Sequence, residues 1–267
     1  MSGDAPPLVT PDPWQAWRAA TPARLALGRA GAALPTDETL RFGWAHAMAR
    51  DAIHAALDVP ALAAALQAPG RSVLQVRSRA PDRAAYLRRP DLGRRLDEED
   101  ARRIAAHRPG TGADLCVVVG DGLSSLAVAR HAAPLLAALQ PRLPSSLRWS
   151  PVVIATQARV ALADEVGECL GARLAVMLIG ERPGLSSPDS LGIYLTHGPR
   201  VGCHDAQRNC ISNVRPEGLG YEAAAFKLAW LVREALRRGL TGVELRDESD
   251  RDAAVDAPAP AGPGIST

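Results

Sequence analysis

Apolar residues beyond residue 110 form short continuous runs, and these runs alternate with longer amphipathic stretches. A short apolar run is typical of a buried strand, whereas apolar positions spaced three and four residues apart indicate a helix. The predicted strands span 115–119, 152–155, 174–179, 192–196 and 210–213, and the predicted helices span 123–139, 160–170 and 221–238. Because strands alternate with helices, we predict an α/β fold with a Rossmann-like, doubly wound and mostly parallel sheet.

The first hundred residues have a different pattern, in which helical spacing dominates. A helix is predicted over 37–57, with Thr36 as its N-cap, and a shorter alanine-rich helix over 61–67. A single short strand is predicted at 72–76. We therefore expect a mainly helical N-terminal region before the sheet domain.

The chain is expected to divide into two folded parts between two tails. The boundary is placed near residue 109, so that the mainly helical region covers 12–109 and the Rossmann-like domain covers 110–248. Both ends, 1–11 and 249–267, are rich in proline and small residues and bury too little apolar surface to offset the entropy of ordering. We predict that these tails are disordered.

Charge and cysteine content argue against several classes of function. The chain has 31 basic and 29 acidic residues, so its net charge of +2 indicates neither a nucleic-acid nor a membrane partner. Lys227 is the only lysine, which argues against Schiff-base and P-loop chemistry. The cysteines lack a C-x-x-C spacing, and no run reaches about 18 apolar residues. We expect reduced thiols in a soluble, cytoplasmic protein.

The first candidate motif is Gly120-Asp121-Gly122 followed by Ser124 and Ser125, where a predicted strand turns into a helix. Free backbone N–H groups at such a turn can bind a polar group of a ligand. A dinucleotide fingerprint needs a third glycine where Ser125 stands and an acidic residue ending a second strand about twenty positions later, and both are missing. We favour the simpler interpretation that the glycines permit the turn and a serine caps the helix.

Two polar segments follow later strands. Residues 180–190 begin with Glu181 and Arg182 at a strand end, whereas 205–213 combine amide and hydroxyl side chains with Cys210. Such loops can hydrogen-bond a ligand that carries many amide groups. The alternative is that Glu181 and Arg182 pair with neighbours while the serines are solvated. A nucleophilic Cys210 would require a base in reach, so we favour a packed or ligand-contacting thiol.

Other titratable residues have ordinary explanations. Asp164 and Glu168 share one face of a predicted helix, and we favour a solvated face over a pair that performs acid–base chemistry. His46 and His54 lie about two helical turns apart, which favours packing in the core or at an interface over binding a metal. The sequence therefore predicts no metal site.

Several segments together resemble one protein family. The strings Gly-Glu-Arg-Pro-Gly-Leu at 180–185 and Cys-Ile-Ser-Asn at 210–213 are rare enough to be specific. The other matching segments are 24–31, 45–54, 86–96 and 120–124, all in the same order within residues 12–248. With these segments, the chain resembles the small subunit of ethanolamine ammonia-lyase.

The resemblance implies a lyase that converts ethanolamine to acetaldehyde and ammonia through radicals. In that family, adenosylcobalamin lies between the small subunit and a large TIM-barrel subunit, which binds the substrate. The matching positions imply that Val160, Glu181 and Cys210 contact the cofactor and that this chain supplies no catalytic residue. No Asp-x-His-x-x-Gly string occurs, so the cofactor is expected to keep its own dimethylbenzimidazole on cobalt. The complex is expected in the cytoplasm, with enclosure in a bacterial microcompartment left open.

Two alternatives come from other functional classes. One is a free-standing Rossmann-like enzyme that binds a nucleotide or nicotinamide through residues 120–125, and the incomplete fingerprint argues against it. The other is a non-catalytic scaffold that docks through its arginine-rich N-terminal half, and the amide-rich loops argue against that. The absorbance of the co-purified complex separates these alternatives, because only a corrinoid complex shows a corrin spectrum.

Overall fold

The computed structural model describes residues 8–68 and 71–251, which form an α/β protein with a six-stranded sheet. The strands are β1 (Val73–Arg77), β2 (Ala113–Gly120), β3 (Val152–Thr156), β4 (Ala172–Gly180), β5 (Leu191–His197) and β6 (Arg208–Val214). The α-helices are α1 (Thr36–His54), α2 (Val59–Leu66), α3 (Arg83–Arg88), α4 (Glu98–Ala105), α5 (Ser125–Leu139), α6 (Leu162–Leu170) and α7 (Tyr221–Arg238). Residues 1–7 and 252–267, most of the two tails predicted to be disordered, lie outside the described residues.

The sheet is mixed. Strands β1, β3, β2 and β4 lie side by side in that order and run parallel. Strands β5 and β6 extend the sheet beyond β4, and each is antiparallel to its neighbour. The predicted α/β class is confirmed, but the Rossmann-like, doubly wound parallel sheet is not. The physical reason is that β5 returns from β4 through the loop 181–190, whereas a parallel strand would need a longer crossover.

Two short helices were not expected from the apolar pattern. Each of them buries a single side chain, Tyr86 in α3 and Ile104 in α4, so neither shows a periodic apolar stripe. Local capping forms α4 instead, because the carboxylate of Asp97 accepts hydrogen bonds from the backbone N–H groups of Glu99 and Asp100. The elements that were predicted lie within three residues of their expected bounds.

Helices cover both faces of the parallel strands. Strand β2 is buried along its whole length. Helices α5 and α7 pack with α2 on one face, and α6 packs with α4 on the other. The segment expected to be a mainly helical N-terminal region contributes β1 to the sheet and α4 to one of these layers.

The antiparallel strands β5 and β6 differ from the parallel strands because only one of their two faces is covered. On the α7 side, Ile193, Leu195 and Ile211 are buried in the core. On the opposite side, Tyr194 is half-buried and Cys210 is exposed. Helix α6 packs against β2 and β4 on that side. The antiparallel extension therefore leaves an open strip of sheet beside the start of α6.

The N-terminal segment exposes large apolar side chains. Helix α1 buries only Glu38, Ala49 and Ala52, while Trp44 is 71% exposed. The exposed side chains, which we call the N-terminal apolar surface, are Trp14, Trp17, Leu40, Phe42, Trp44 and Met48. Among residues 8–68 and 71–251, no helix is both long and apolar enough to cross a membrane.

Candidate functional site

The loop that carries Val160 is held firmly between β3 and α6. The buried carboxylate of Asp121 accepts hydrogen bonds from the backbone N–H groups of Gln157 and Ala158, both at 2.9 Å. The hydroxyl of Tyr86 donates to the carbonyl oxygen of Ala158 at 3.1 Å. Burial raises the pKa of Asp121, and the two amide donors oppose this effect. The loop thus places Val160 in a fixed position before α6 begins.

Two arginines stack against Tyr86 behind this loop. The guanidinium carbons of Arg159 and Arg83 lie 4.3 and 4.7 Å from the centre of the ring. Arg159 also donates from its backbone to Gly93 at 2.8 Å and from its side chain to the carbonyl of Tyr86 at 3.1 Å. Burial raises the pKa of Tyr86 to about 12, so its hydroxyl remains a neutral donor. Helix α3 is thereby tied to the loop that carries Val160.

The two acidic residues predicted to share a face of α6 differ in burial. The side chain of Asp164 is 2% exposed and forms an ion pair with Arg208 of β6. The carboxylate of Glu168 accepts from the backbone N–H of Val201 at 2.9 Å. The solvated-face interpretation is therefore wrong for Asp164, whose buried partner the helical spacing could not reveal, whereas Glu168 is exposed. They join α6 to the segment that leads into β6.

Arg208 is the buried cation at the start of β6. Its side chain is 3% exposed, and it donates to the carboxylate of Asp205 at 2.6 Å and to the carbonyl of Cys203 at 2.9 Å. Its Nε atom is buried without a hydrogen-bond partner among the described residues. Together with Asp164, this side chain fixes the position of β6 relative to the start of α6.

Cys210 and Tyr194 face each other across β6 and β5 on the open strip. Partial burial raises the pKa of the Tyr194 hydroxyl and of the Cys210 thiol, and each group also acts on the pKa of the other. The negative charge of Glu181 adds to both shifts. A thiol with a raised pKa is a poor nucleophile at neutral pH, which favours a packing or ligand-contacting role over covalent catalysis.

Glu181 is the first residue after β4, at the carboxyl end of the parallel strands. The hydroxyl of Ser190 donates to its carboxylate, and the backbone N–H of Asn213 lies 3.3 Å from one carboxylate oxygen. Gly192 leaves room for this arrangement, since a Cβ there would lie 3.1 Å from Glu181 Oε1. The carboxylate is thus oriented by the residue before β5 and by β6, and the side chain is half-buried.

The structure brings the three sequence-predicted residues to one side of the sheet. Val160 and Cys210 line the same cavity of about 300 Å³, and Glu181 acts electrostatically on Cys210 beside it. The residues of the cavity wall are Pro90, Arg94, Arg159, Val160, Ala161, Tyr194, Asp205, Arg208 and Cys210. Cys210 was expected at a strand end but lies inside β6, opposite Tyr194. The sequence analysis did not identify Tyr194 as a residue of the candidate site. Its alternating position in the predicted strand 192–196, on the face opposite the core, was the available signal.

The glycine turn after β2 is filled by the protein's own backbone. A Cβ at Gly122 would lie 2.2 Å from the carbonyl oxygen of Gly180. The hydroxyl of Ser124 accepts from the backbone N–H of Ala127 at 3.2 Å and so caps α5. These contacts agree with the turn-and-cap interpretation and leave the nucleotide-binding alternative without a phosphate site here.

His46 and His54 are exposed on α1. The prediction that these two side chains pack in the core is therefore wrong. The alternative, that they pack at an interface, stays a prediction. In the described part of the chain, no three His, Cys, Asp or Glu side chains are grouped so that they could hold a metal ion.

Comparison with known proteins gives matches over almost the whole chain. The family model described as ethanolamine ammonia-lyase light chain matches residues 11–246. A protein named ethanolamine ammonia-lyase small subunit from Azotobacter vinelandii is 59% identical over 256 residues, which cover 94% of this chain and 93% of the relative. Proteins of the same name from Ralstonia nicotianae and Xanthomonas campestris are 58% and 57% identical, over 92% and 90% of this chain and 93% and 89% of theirs.

Proposed function

This chain belongs to the ethanolamine ammonia-lyase light-chain family, and we propose that it holds adenosylcobalamin against a large subunit that binds the substrate. In this proposal the complex converts ethanolamine to acetaldehyde and ammonia by a radical mechanism. The observation that carries it is that Val160 and Cys210 line one cavity beside the open strip of the sheet, with Glu181 close enough to act electrostatically on Cys210. A site that served only folding would not need a cavity between Val160 and Cys210.

The size and polarity of the cavity fit a shared cofactor. A cavity of about 300 Å³ accommodates a small ligand at most. A corrinoid is much larger, so this chain would contact one side of it and leave the rest to a partner. The cavity wall includes the side chains of Arg94, Arg159 and Arg208, and guanidinium groups donate hydrogen bonds to ligand oxygen atoms.

Each residue has a role that follows from its chemistry. Glu181 accepts hydrogen bonds from amide N–H groups, and its orientation by Ser190 and Asn213 prepares it to do so. Val160 offers an apolar contact at a rigid loop, and Cys210 offers a neutral thiol. When bound, adenosylcobalamin supplies the radical through cleavage of its cobalt–carbon bond, which is chemistry of the cofactor itself. The role of this chain is to bind the cofactor and to orient it.

The N-terminal apolar surface supports the proposal that this chain binds a large protein partner. Single exposed apolar residues are common on proteins, but a group that includes Trp44 at 71% exposure and Leu40 at 67% is typical of an interaction surface. The relatives are named as small subunits, which implies a larger one.

Reconstitution tests the proposed function. The purified chain alone, the large subunit alone and the mixture are assayed for acetaldehyde from ethanolamine, each with and without adenosylcobalamin. We expect turnover only when both subunits and the cofactor are present, because the described residues of this chain hold no substrate base beside a radical source. Turnover by this chain alone, or by the mixture without the cofactor, would refute the proposal.

Replacement of Glu181 by Gln tests whether the carboxylate contributes to cofactor binding. The amide offers one acceptor and a misdirected donor, so we expect the Kd of the complex for adenosylcobalamin to rise about five- to 150-fold, the equivalent of about 1–3 kcal/mol. The melting temperature is measured beside the Kd. Glu217→Gln is the matched control, because Glu217 is 72% exposed in the turn after β6. Unchanged affinity with a lowered melting temperature would mean that Glu181 serves only the fold.

A further inference from the structure

The loop between β4 and β5 is tied to helix α5, which lies on the opposite face of the sheet from α6. The half-buried carboxylate of Asp189 accepts a hydrogen bond from the exposed Arg130 at 2.8 Å. The Nε2 atom of His131 lies 3.5 Å from the same carboxylate oxygen. The carbonyl oxygen of Pro188 accepts from the hydroxyl of Ser124 at 2.8 Å. Two successive residues of the loop are therefore held by α5 and its N-cap.

His131 is itself held in place by α7. Its side chain is buried, and its Nδ1 atom lies 2.8 Å from the hydroxyl of Tyr221, the first residue of α7. Burial acts to raise the pKa of Asp189, but Arg130 and His131 outweigh this effect and hold the pKa below its usual value. The carboxylate of Asp189 is thus charged at neutral pH and lies between two basic side chains.

The residue after Asp189 connects these contacts to Glu181. Ser190 is buried, and its hydroxyl donates to the carboxylate of Glu181. Its carbonyl oxygen accepts from the backbone N–H of Glu181 at 3.0 Å. A serine side chain is short, so the direction in which its hydroxyl donates depends on where its backbone is held. The contacts of Asp189 with α5 therefore set the position from which Ser190 orients the Glu181 carboxylate.

We propose that Asp189 is a positioning residue for the cofactor site, and that Arg130 and His131 of α5 act through it. The inference rests on the proposed function, in which Glu181 accepts hydrogen bonds from amide groups of adenosylcobalamin. Asp189 lies outside the wall of the cavity that Val160 lines, and its carboxylate faces α5. Its role is to hold Ser190 so that Glu181 keeps one orientation before the ligand binds. An acceptor that is already ordered does not lose side-chain entropy on binding.

A double-mutant cycle on the reconstituted two-subunit complex tests this role. Absorbance titration gives the Kd for adenosylcobalamin of the wild type, Asp189→Ala, Glu181→Ala and the double variant. We expect Asp189→Ala to raise the Kd about three- to tenfold, because the Glu181 side chain must then be ordered on binding. In the Glu181→Ala background the same change should alter the Kd less than about twofold, because the carboxylate that Asp189 positions is gone. A residue that serves only the fold would cost the same factor in both backgrounds.

Two arginine variants provide a second measurement and its matched control. Arg130 forms an ion pair with Asp189, whereas Arg142 forms one with Glu222 of α7 and does not contact the loop. We expect Arg130→Gln to raise the Kd for adenosylcobalamin about threefold and Arg142→Gln to leave it unchanged. Melting temperatures are measured in parallel. Because Arg130 is exposed, its variant carries the test, in both Glu181 backgrounds, if Asp189→Ala does not fold.

The outcomes separate this positioning role from the proposed function. Equal factors in the two Glu181 backgrounds, unchanged affinity in both Asp189→Ala and Arg130→Gln, or an equal loss in Arg142→Gln each overturn the positioning role. In these cases the wild-type affinity for adenosylcobalamin leaves the proposed function standing. A wild-type complex that does not bind adenosylcobalamin overturns both.

Discussion

Replacement of Asp164 by Asn is expected to lower the free energy of unfolding by about 3–5 kcal/mol. The side chains of Asp164 and Arg208 are 2% and 3% exposed, so removing one charge leaves the other in a poorly solvated interior. The loss should also displace β6, because Arg208 begins that strand. Urea unfolding followed by circular dichroism measures the change in free energy.

A double variant and a surface control isolate the cause. The combination of Asp164→Leu with Arg208→Met removes both charges, and we expect it to recover most of the stability lost by Asp164→Asn. Glu234→Gln breaks an ion pair with Arg237, which is 69% exposed on α7, and should cost less than about 1 kcal/mol. If Asp164→Asn costs no more than this control, the buried pair does not stabilise the fold.

Replacement of Gly122 by Ala is expected to be at least as severe, with a loss of more than about 4 kcal/mol. Two effects add at this turn. The φ of Gly122 is +57°, where an L-residue is strained, and the new Cβ would lie 2.2 Å from the carbonyl oxygen of Gly180. Backbone cannot move aside as a flexible side chain can, so β4 and the turn would have to separate.

Gly31→Ala is the matched control for this prediction. Gly31 has a similar φ of +61° but no atom within 4 Å of an added Cβ, so it reports the backbone strain alone. We expect a loss of roughly 1 kcal/mol there. The two variants are compared by urea unfolding, or by soluble yield if Gly122→Ala does not fold. Equal losses at the two positions would mean that the contact with Gly180 is unimportant.

Local patterns predicted individual elements better than they predicted the sheet. Helix α7 was predicted over 221–238 and lies at those residues, because its amphipathic stripe is long and Gly239 ends it at a φ of +73°. The antiparallel direction of β5 was not predicted, because the apolar pattern of a strand is the same whether the strand runs parallel or antiparallel to its neighbour. The absence of a helical stretch between β4 and β5 was the available signal.

The candidate site was predicted in part, and through the family resemblance. Val160, Glu181 and Cys210 came from matching motifs, whereas the cavity around them depends on the register that sets Tyr194 opposite Cys210. The partner of Asp164 lies 44 residues away in sequence, so charge spacing within one helix could not reveal the ion pair. Contacts of this kind arise only from the packed tertiary structure.

The most direct test of the central claim is the alkylation rate of Cys210 in the reconstituted complex. Iodoacetamide labelling is followed by mass spectrometry with and without adenosylcobalamin, and Cys169 on α6, outside the cavity wall, serves as the internal reference. Because Cys210 lines the cavity and is exposed in this chain, bound cofactor should cover its thiol. We predict that adenosylcobalamin slows the labelling of Cys210 and leaves that of Cys169 unchanged. Equal rates for Cys210 with and without bound cofactor would contradict the proposed cofactor site.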